Sequence, residues 1–415
     1  MEQTIERAVL AGLCADCFTK EQQATEQSLD ELEALLETAG GVCVAKVLQN
    51  RRAPDPHSFV GEGKAEELRQ LVSTLDAGMV VFDNDLSPSQ IRALEELTGA
   101  TVLDRSALIL DIFAQRARTA EGRLQVELAQ YKYLLPKLSG MGKSLSRQGG
   151  GIGTRGPGET KLETDRRHIR ARITKLEEEL SQLRRLRAVE RRRRQKNEIP
   201  VVALVGYTNA GKSTLLNRLT GAGIPANDRL FDTLDTTTRQ LAVSDRLTVL
   251  LSDTVGFIAK LPHHLVEAFK ATLEELEYAD LLLHVIDAAD PEREAHVQVV
   301  DRLIAALARP DVPVLRVYNK ADLAQPDELP GGEGNLAVSA TKGSGVDALL
   351  AAIERALDRG LHHAVFLLPY RMAGQIDALH TGAQVLRCDY TDRGIEIEVK
   401  CDDVLYGRLS RYEVT

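Results

Sequence analysis

A chain of 415 residues, 43% of them hydrophobic and with a formal net charge of −9, suits two to four globular domains, each able to bury its own core. Its apolar runs all fall short of the roughly eighteen residues that cross a bilayer, and Met1-Glu2-Gln3-Thr4-Ile5-Glu6 lacks the basic start of a secretory signal, so a cytoplasmic protein without a membrane span is expected. Five scattered cysteines, at 14, 17, 43, 388 and 401, argue against a disulfide framework, and the acidic balance speaks against DNA or any other nucleic acid unless positive charge is concentrated locally.

Residues 1–105 alternate apolar runs with helix-like stretches: Ala8 to Leu13, Leu29 to Thr38, Val42 to Leu48, Ala65 to Leu75, Met79 to Phe82, Pro88 to Leu97 and Thr101 to Leu103. Strand and helix in alternation imply a small α/β domain with a mainly parallel sheet. Cys14-Ala15-Asp16-Cys17 has half the spacing of a zinc site, but no second Cys pair or His pair completes it, so reduced thiols are expected. Asp83-Asn84-Asp85 ends a strand and reads as the N-cap of the helix starting near Ser87-Pro88.

Residues 106–198 form the second domain. One long helix is expected from Ser106 to Leu138, with Leu124, Leu128, Tyr131, Leu135 and Leu138 at heptad steps. A second helix from Lys161 to Lys196 carries Ile169, Ile173, Leu176, Leu180 and Leu183 in the same rhythm. Two stripes of matched period joined by one loop predict an antiparallel hairpin in a monomer, with a dimeric coiled coil as the rival.

The connecting loop, 139–160, has 8 glycines in 22 residues and cannot offset its own ordering entropy in isolation. From Ser139 to Lys196 there are 17 Lys and Arg against 7 Asp and Glu, a net +10 in an acidic chain. That is a footprint for a polyanion. Lys143, Arg147 and Arg155, spaced among glycines, are the candidate RNA contacts, ordering on a folded RNA. The block holds no Phe, Tyr or Trp, which disfavours base stacking and leaves phosphate and shape readout.

The third domain, 199–361, carries the chemistry. The apolar run Pro200 to Val205 leads into Gly206-Tyr207-Thr208-Asn209-Ala210-Gly211-Lys212-Ser213, with Thr214 opening a helix. Strand, Gly-x-x-x-x-Gly-Lys-Ser and helix is the order a phosphate-binding loop requires. Backbone N–H groups would wrap the β-phosphate, Lys212 would reach the β- and γ-phosphates, and Ser213 would offer its hydroxyl to Mg²⁺.

The run Leu247 to Leu251 ends in Asp253-Thr254-Val255-Gly256, placing Asp253 to hold Mg²⁺ through water and the Gly256 N–H to meet the γ-phosphate. Val314 to Tyr318 ends in Asn319-Lys320-Ala321-Asp322, whose carboxylate can accept from both N–H groups on the edge of guanine. Adenine has no such donor pair. Ser339-Ala340-Thr341 would back the same base. Four such motifs, each at a strand end, resemble a GTPase of the phosphate-binding-loop class, with GTP and GDP as ligands. Between the first two motifs lies the Thr-rich Phe231-Asp232-Thr233-Leu234-Asp235-Thr236-Thr237-Thr238, where either Thr233 or Thr238 has the chemistry to sense the third phosphate through Mg²⁺. A small α/β appendage, 362–415, follows.

Taken together, the phosphate loop, Phe231-x-Thr233-Leu234-Asp235, the run Asp253 to Ile258 with Leu261-Pro262-His263, and Gly151 to Glu163 resemble the HflX family, ribosome-associated GTPases in the larger group that includes Obg. The resemblance implies that residues 231–235 meet the nucleotide with Thr233 as the Mg²⁺ ligand. It also implies that Lys212, Thr233 and Gly256 carry catalysis, and that the partner is the large (50S) ribosomal subunit with its 23S rRNA, reached through the N-terminal region. The implied action is splitting or rescuing stalled ribosomes, or service in translation or ribosome biogenesis under stress. The chain departs from the family pattern at Asp232, Thr236 and Lys161, the last adding charge to the RNA face.

Phe257 stands where many GTPases place a water-orienting Gln. Slow intrinsic hydrolysis is expected, compensated by a partner group or by a monovalent cation such as K⁺ held partly by Asn209. Two rival functions are an RNA-binding assembly factor using nucleotide state only as a switch, and an ATP-dependent RNA-remodelling enzyme, for which residues 1–198 offer no phosphate loop.

Overall fold

The computed structural model describes the chain apart from residues 1–5, 20–21, 139–156, 196–198, 224–229, 232–236, 246, 261–275, 326–328, 331, 333, 358–361, 373–375, 377–378, 380–382, 402 and 415. Two compact units result, Met1–Leu349 and Leu350–Thr415. Among the described residues no helix is long and apolar enough to cross a membrane.

The first unit opens on β1 (Arg7–Ala15), α1 (Glu26–Ala39), β2 (Val42–Arg51), α2 (Glu62–Thr74), β3 (Met79–Phe82), α3 (Pro88–Thr98) and β4 (Thr101–Asp104). The four strands pair in parallel in the order β2-β1-β3-β4. Inside such a sheet both strand faces are covered, so β1 is a continuous apolar run buried from Ala8 to Leu13. Local signals set the helix ends. Thr25 and Ser28 form a capping box before α1, and Gly40, at φ 97°, closes it with its N–H on Glu37 O.

Two sequence expectations are corrected here. The N-cap of α3 is Ser87, reciprocally bonded with Gln90 and followed by Pro88, because a cap must stand directly before the first helical turn. Asp83-Asn84-Asp85 does other work: Asn84 accepts from Leu13 N (2.8 Å) and donates to Leu13 O and Gln22 O, and Asp85 accepts from the Ser106 hydroxyl. The long helix is two, α4 (Arg105–Arg116) and α5 (Ala120–Leu138). Ala117 is extended (φ −64°, ψ 107°), and the Thr119 hydroxyl accepts from Gly122 N (2.9 Å), starting a new helix.

Helix α5 packs antiparallel to α6 (Pro157–Gln195) through Leu124, Leu128 and Tyr131 on one side and Ile173, Leu176 and Leu180 on the other. Arg172 grips Glu127 with two 2.8 Å bonds and Lys132 pairs with Glu177 (2.9 Å), fixing the register of the hairpin.

The nucleotide fold follows: β5 (Val201–Gly206), α7 (Lys212–Thr220), β6 (Thr237–Ala242), β7 (Thr248–Asp253), β8 (Leu281–Asp287), α8 (Arg293–Leu307), β9 (Val314–Asn319) and β10 (Asn335–Ala337). Its sheet runs β10-β9-β8-β5-β7-β6, parallel except for β6 against β7. The carboxyl ends of β5, β7 and β9 therefore share one edge, where an open α/β sheet binds its ligand.

Helix α9 (Val346–Leu357) spans the division between the units. The second unit is an antiparallel sheet of β11 (His362–Leu368), β13 (Gly394–Cys401) and β12 (Ala383–Thr391), with β13 central. Its core gathers Phe366, Leu368, Ile397, Val399 and Leu409, the last from α10 (Asp403–Leu409). The stretch Gly374 to Thr381, whose sequence reads as helical, lies largely outside the described residues.

Candidate functional site

Glycine at two positions of the 206–213 loop is dictated by space. A Cβ on Gly206 would lie 2.2 Å from Val285 O, and one on Gly211, at φ +87°, 2.2 Å from Asn319 Nδ2. Asn209 sits at φ +59°, a left-handed conformation that asparagine tolerates. The result is a turn leading its amides into the first turn of α7, an anion cradle by geometry and dipole. Lys212 is buried and donates to Gly206 O (3.1 Å) and Tyr207 O (2.7 Å). Burial pushes its pKa down to about 8, partly opposed by the charge of Asp253. The ammonium rests on the loop's own carbonyls.

Ser213 donates to Asp253 Oδ2 (2.7 Å), joining the start of α7 to the end of β7. Two hard oxygen groups beside a phosphate cradle form a donor set that suits Mg²⁺. Thr254 turns its hydroxyl inward to Leu204 O (2.6 Å), a bond between strand ends. Gly256 lies against the lysine, for a Cβ there would come within 3.1 Å of Lys212 Nζ. Val255 and Phe257 are buried, and the Phe257 backbone donates to Gly206 O (3.1 Å) and accepts from Thr208 N (2.7 Å). Its ring contributes no polar group.

The base side is built around Asn319. Its amide donates to Ala210 O (2.9 Å) and its oxygen accepts from Ala340 N (3.0 Å), linking three motifs through one side chain. Lys320 pairs with Asp287 (2.7 Å), while Ser339 and Thr341 hydroxyls lie 3.1 Å apart. Asp322 has Lys342 at 3.3 Å from Oδ2, and its Oδ1 is buried with no partner among the described residues. A bond from Ser339, first, and the charge of Lys342 hold this carboxyl below the usual range, so it stays an acceptor. A buried, unpartnered carboxylate oxygen beside Asn319 fits a ligand edge carrying N–H donors, as guanine has.

The structure thus brings Gly206 to Thr214, Asp253 to Gly256, Asn319 to Asp322 and Ser339 to Thr341 to one sheet edge. Phe231 is buried with its ring 4.7 Å from that of Phe113 in α4. Asp232, Thr233, Leu234 and Asp235, and likewise Lys143, Arg147 and Arg155, lie outside the described residues, as does the side chain of Lys161 on α6. Thr238 is a strand residue of β6, its hydroxyl 3.3 Å from that of Ser252.

A polar cluster beside the loop has no counterpart in the sequence reading. The Tyr207 phenol donates to Glu31 on α1, accepts from Ala259 N (2.6 Å), and its ring stacks on His296 at 3.7 Å. Arg105, fully buried, binds Asp83 (2.8 Å), Glu31 and Ala259 O (3.2 Å). Lys260 binds Asp83 and Gln23 O (2.7 Å). Two cations face two carboxylates, so the buried charge balances. Burial, and then Glu31, raise the Tyr207 phenol well above its usual pKa and keep it a donor. No contiguous signal announces these partners, which stand 22 to 237 residues apart.

Comparison with known proteins accounts for most of the chain. Family profiles match in three consecutive parts: "GTP-binding GTPase N-terminal" over residues 26–114, "GTP-binding GTPase Middle Region" over 116–194 and "50S ribosome-binding GTPase" over 201–320. GTPase HflX of Caldanaerobacter subterraneus subsp. tengcongensis is 48% identical over 411 residues, 99% of this chain and 94% of that one. GTPase HflX of Lacrimispora saccharolytica is 45% identical, covering 99% and 97%, and that of Escherichia coli K12 is 43% identical, covering 98% and 96%. A solved complex of the GTP-binding protein SsGBP with GDP is 25% identical, covers 85% of this chain and 98% of that one, and has a TM-score of 0.48.

Proposed function

This chain belongs to the HflX family of GTPases, and from that premise we propose that it acts in the cytoplasm as a monomer on the large (50S) ribosomal subunit. There it splits or rescues stalled ribosomes, or serves translation or ribosome biogenesis under stress. The observation that carries the nucleotide half is the unpartnered Asp322 Oδ1 at the sheet edge shared with Lys212 and Gly256. The ribosomal half is supported by the "50S ribosome-binding GTPase" description of the matching profile and by the basic block from 139 to 196.

In this reading residues 1–105 are an α/β domain, 106–198 the RNA-reaching hairpin, 199–361 the GTPase domain and 362–415 an appendage. Lys143, Arg147, Arg155 and Lys161 contact 23S rRNA phosphates. Gly206 to Thr214 cradle the phosphates, the Gly256 N–H meets the γ-phosphate, and Asn319 to Asp322 with Ser339 to Thr341 hold guanine. Phe231 to Asp235 meet the nucleotide. Ser213 and Thr233 hold Mg²⁺, with Asp253 reaching it through water; Thr233 is preferred because the Thr238 hydroxyl already faces Ser252. Bound there, Mg²⁺ neutralises charge on the β- and γ-phosphate oxygens. With Phe257 in the core, a partner group or a K⁺ ion held partly by Asn209 raises a slow intrinsic rate, by roughly 10³–10⁵ if the contribution equals that of an arginine finger.

Sedimentation with purified 50S subunits tests this. The chain should pellet with a non-hydrolysable GTP analogue, leave with GDP, and lose binding when 139–160 are deleted. Failure to co-sediment in any nucleotide state would sink the proposal.

A further inference from the structure

Thr208 is buried, 7% exposed, and its hydroxyl oxygen is sealed from solvent without a hydrogen-bond partner among the described residues. Its backbone N–H is already committed to Phe257 O (2.7 Å). A hydroxyl buried in this way lowers the stability of the empty protein, and such exceptions ask for a functional cause. The side chain's position supplies one. A Cβ built on Gly256 would come within 2.9 Å of Thr208 Cγ2, 3.0 Å of its Cα and 3.1 Å of Lys212 Nζ. The Thr208 methyl, Gly256 and the lysine ammonium therefore surround one point, on the side where Lys212 and Gly256 meet a third phosphate. One staggered step about χ1 puts a threonine's hydroxyl where its methyl stood and carries the methyl to the former place of the β-hydrogen. Phe257 offers nothing there, since its ring is in the core and both its backbone groups are bonded to the phosphate loop.

We propose that Thr208 is a further catalytic residue for GTP hydrolysis. With GTP bound, its side chain turns so that the hydroxyl replaces the methyl over Gly256, donating to a γ-phosphate oxygen and accepting from the attacking water. The water oxygen bonds to the γ-phosphorus while the bond from that phosphorus to the β–γ bridging oxygen breaks. That electron pair leaves with GDP, the water proton ends on inorganic phosphate, and Thr208 neither gains nor loses a proton. The hydroxyl thus takes over part of the water-orienting work that Phe257 cannot do. The inference rests on GTP hydrolysis at this site and is independent of ribosome binding, so the two readings fail separately.

The test uses the purified full chain without ribosomes. Thr208→Val should slow single-turnover GTP hydrolysis at least about tenfold, toward the roughly 10²–10³ lost with a well-placed transition-state donor. GDP affinity should stay within about twofold. Removing the unpartnered hydroxyl should also raise the melting temperature of the empty protein by about 2–4 °C. Thr208→Ser restores the hydroxyl and most of the rate. Formation of the complex with GDP and aluminium fluoride reads the same contact where turnover is too slow to time, and should be lost in Thr208→Val and kept in Thr208→Ser. The proposal is overturned if Thr208→Val hydrolyses GTP and binds GDP–aluminium fluoride like the natural chain, if Thr208→Ser is as impaired as Thr208→Val, or if GDP affinity falls in step with the rate.

Discussion

Nucleotide affinity should weaken as pH rises through the titration of Lys212. Burial holds its pKa at about 8, with two carbonyl oxygens as its only described hydrogen-bond acceptors. Phosphate oxygens return a strong partner to the ammonium and lift the pKa to the ordinary lysine value of about 10.4 or above. The complex then holds the proton more tightly than the free protein, so affinity is lost above the lower of the two values. Between pH 7.5 and 8.5 the apparent Kd for GDP should rise about threefold, or about 0.7 kcal/mol, with about 0.7 proton taken up per nucleotide at the upper pH. This window sits above the terminal phosphate's own titration and below that of guanine N1. Calorimetry in two buffers of different ionisation enthalpy reads both quantities. A Kd flat across the window, or protons released rather than absorbed, would refute the account of Lys212.

Three further outcomes follow from the same geometry. Asp322→Asn removes the charged acceptor and should weaken GTP about 10- to 100-fold, while strengthening xanthosine triphosphate, whose C2 oxygen accepts from the new amide; competition binding with both nucleotides checks it. His284, 1% exposed on β8, has its pKa lowered by burial to about 4, so the unfolded chain takes the proton first and stability drains as pH falls below about 6.5. About 2 kcal/mol should go by pH 5, and urea midpoints for His284→Gln should lack that slope. Arg105→Met leaves Glu31 and Asp83 short of a buried cation and should cost about 3–5 kcal/mol, read by chemical denaturation, whereas a surface ion pair such as Lys64 with Glu67 should cost less than about 1 kcal/mol.

What the sequence made legible is what is local. Gly206 to Ser213 is contiguous, its two obligate glycines are set by contacts to the neighbouring strand and to Asn319, and each later motif directly ends an apolar strand. The heptad leucines found each other because one register satisfies both stripes. The break between α4 and α5 was hidden because Arg116-Ala117-Arg118-Thr119 contains neither Gly nor Pro, and the Thr119 cap is recognisable only once the chain has turned. The Arg105 cluster was hidden for a different reason. A buried guanidinium and two carboxylates look like ordinary surface charges until folding places them together, and nothing in residues 31, 83, 105 and 260 marks them as partners.

The variable positions of the Gly-x-x-x-x-Gly-Lys-Ser pattern show how these two kinds of information meet. Phosphate recognition by backbone amides leaves the side chains at 207–210 unspecified, yet each answers to a distinct constraint. Tyr207 satisfies Glu31 and Ala259 N and stacks on His296. Asn209 adopts φ +59° with little strain, and Ala210, almost fully buried, leaves its carbonyl for Asn319. Of these four, Thr208 alone carries a buried polar side-chain atom with no partner among the described residues. Packing against the first domain therefore sets 207, backbone geometry sets 209, and the base motif sets 210. The remaining position is the one whose requirement has to come from the nucleotide. That is why a loop read from its glycines and lysine locates the phosphates, while its variable residues tell how this chain treats them.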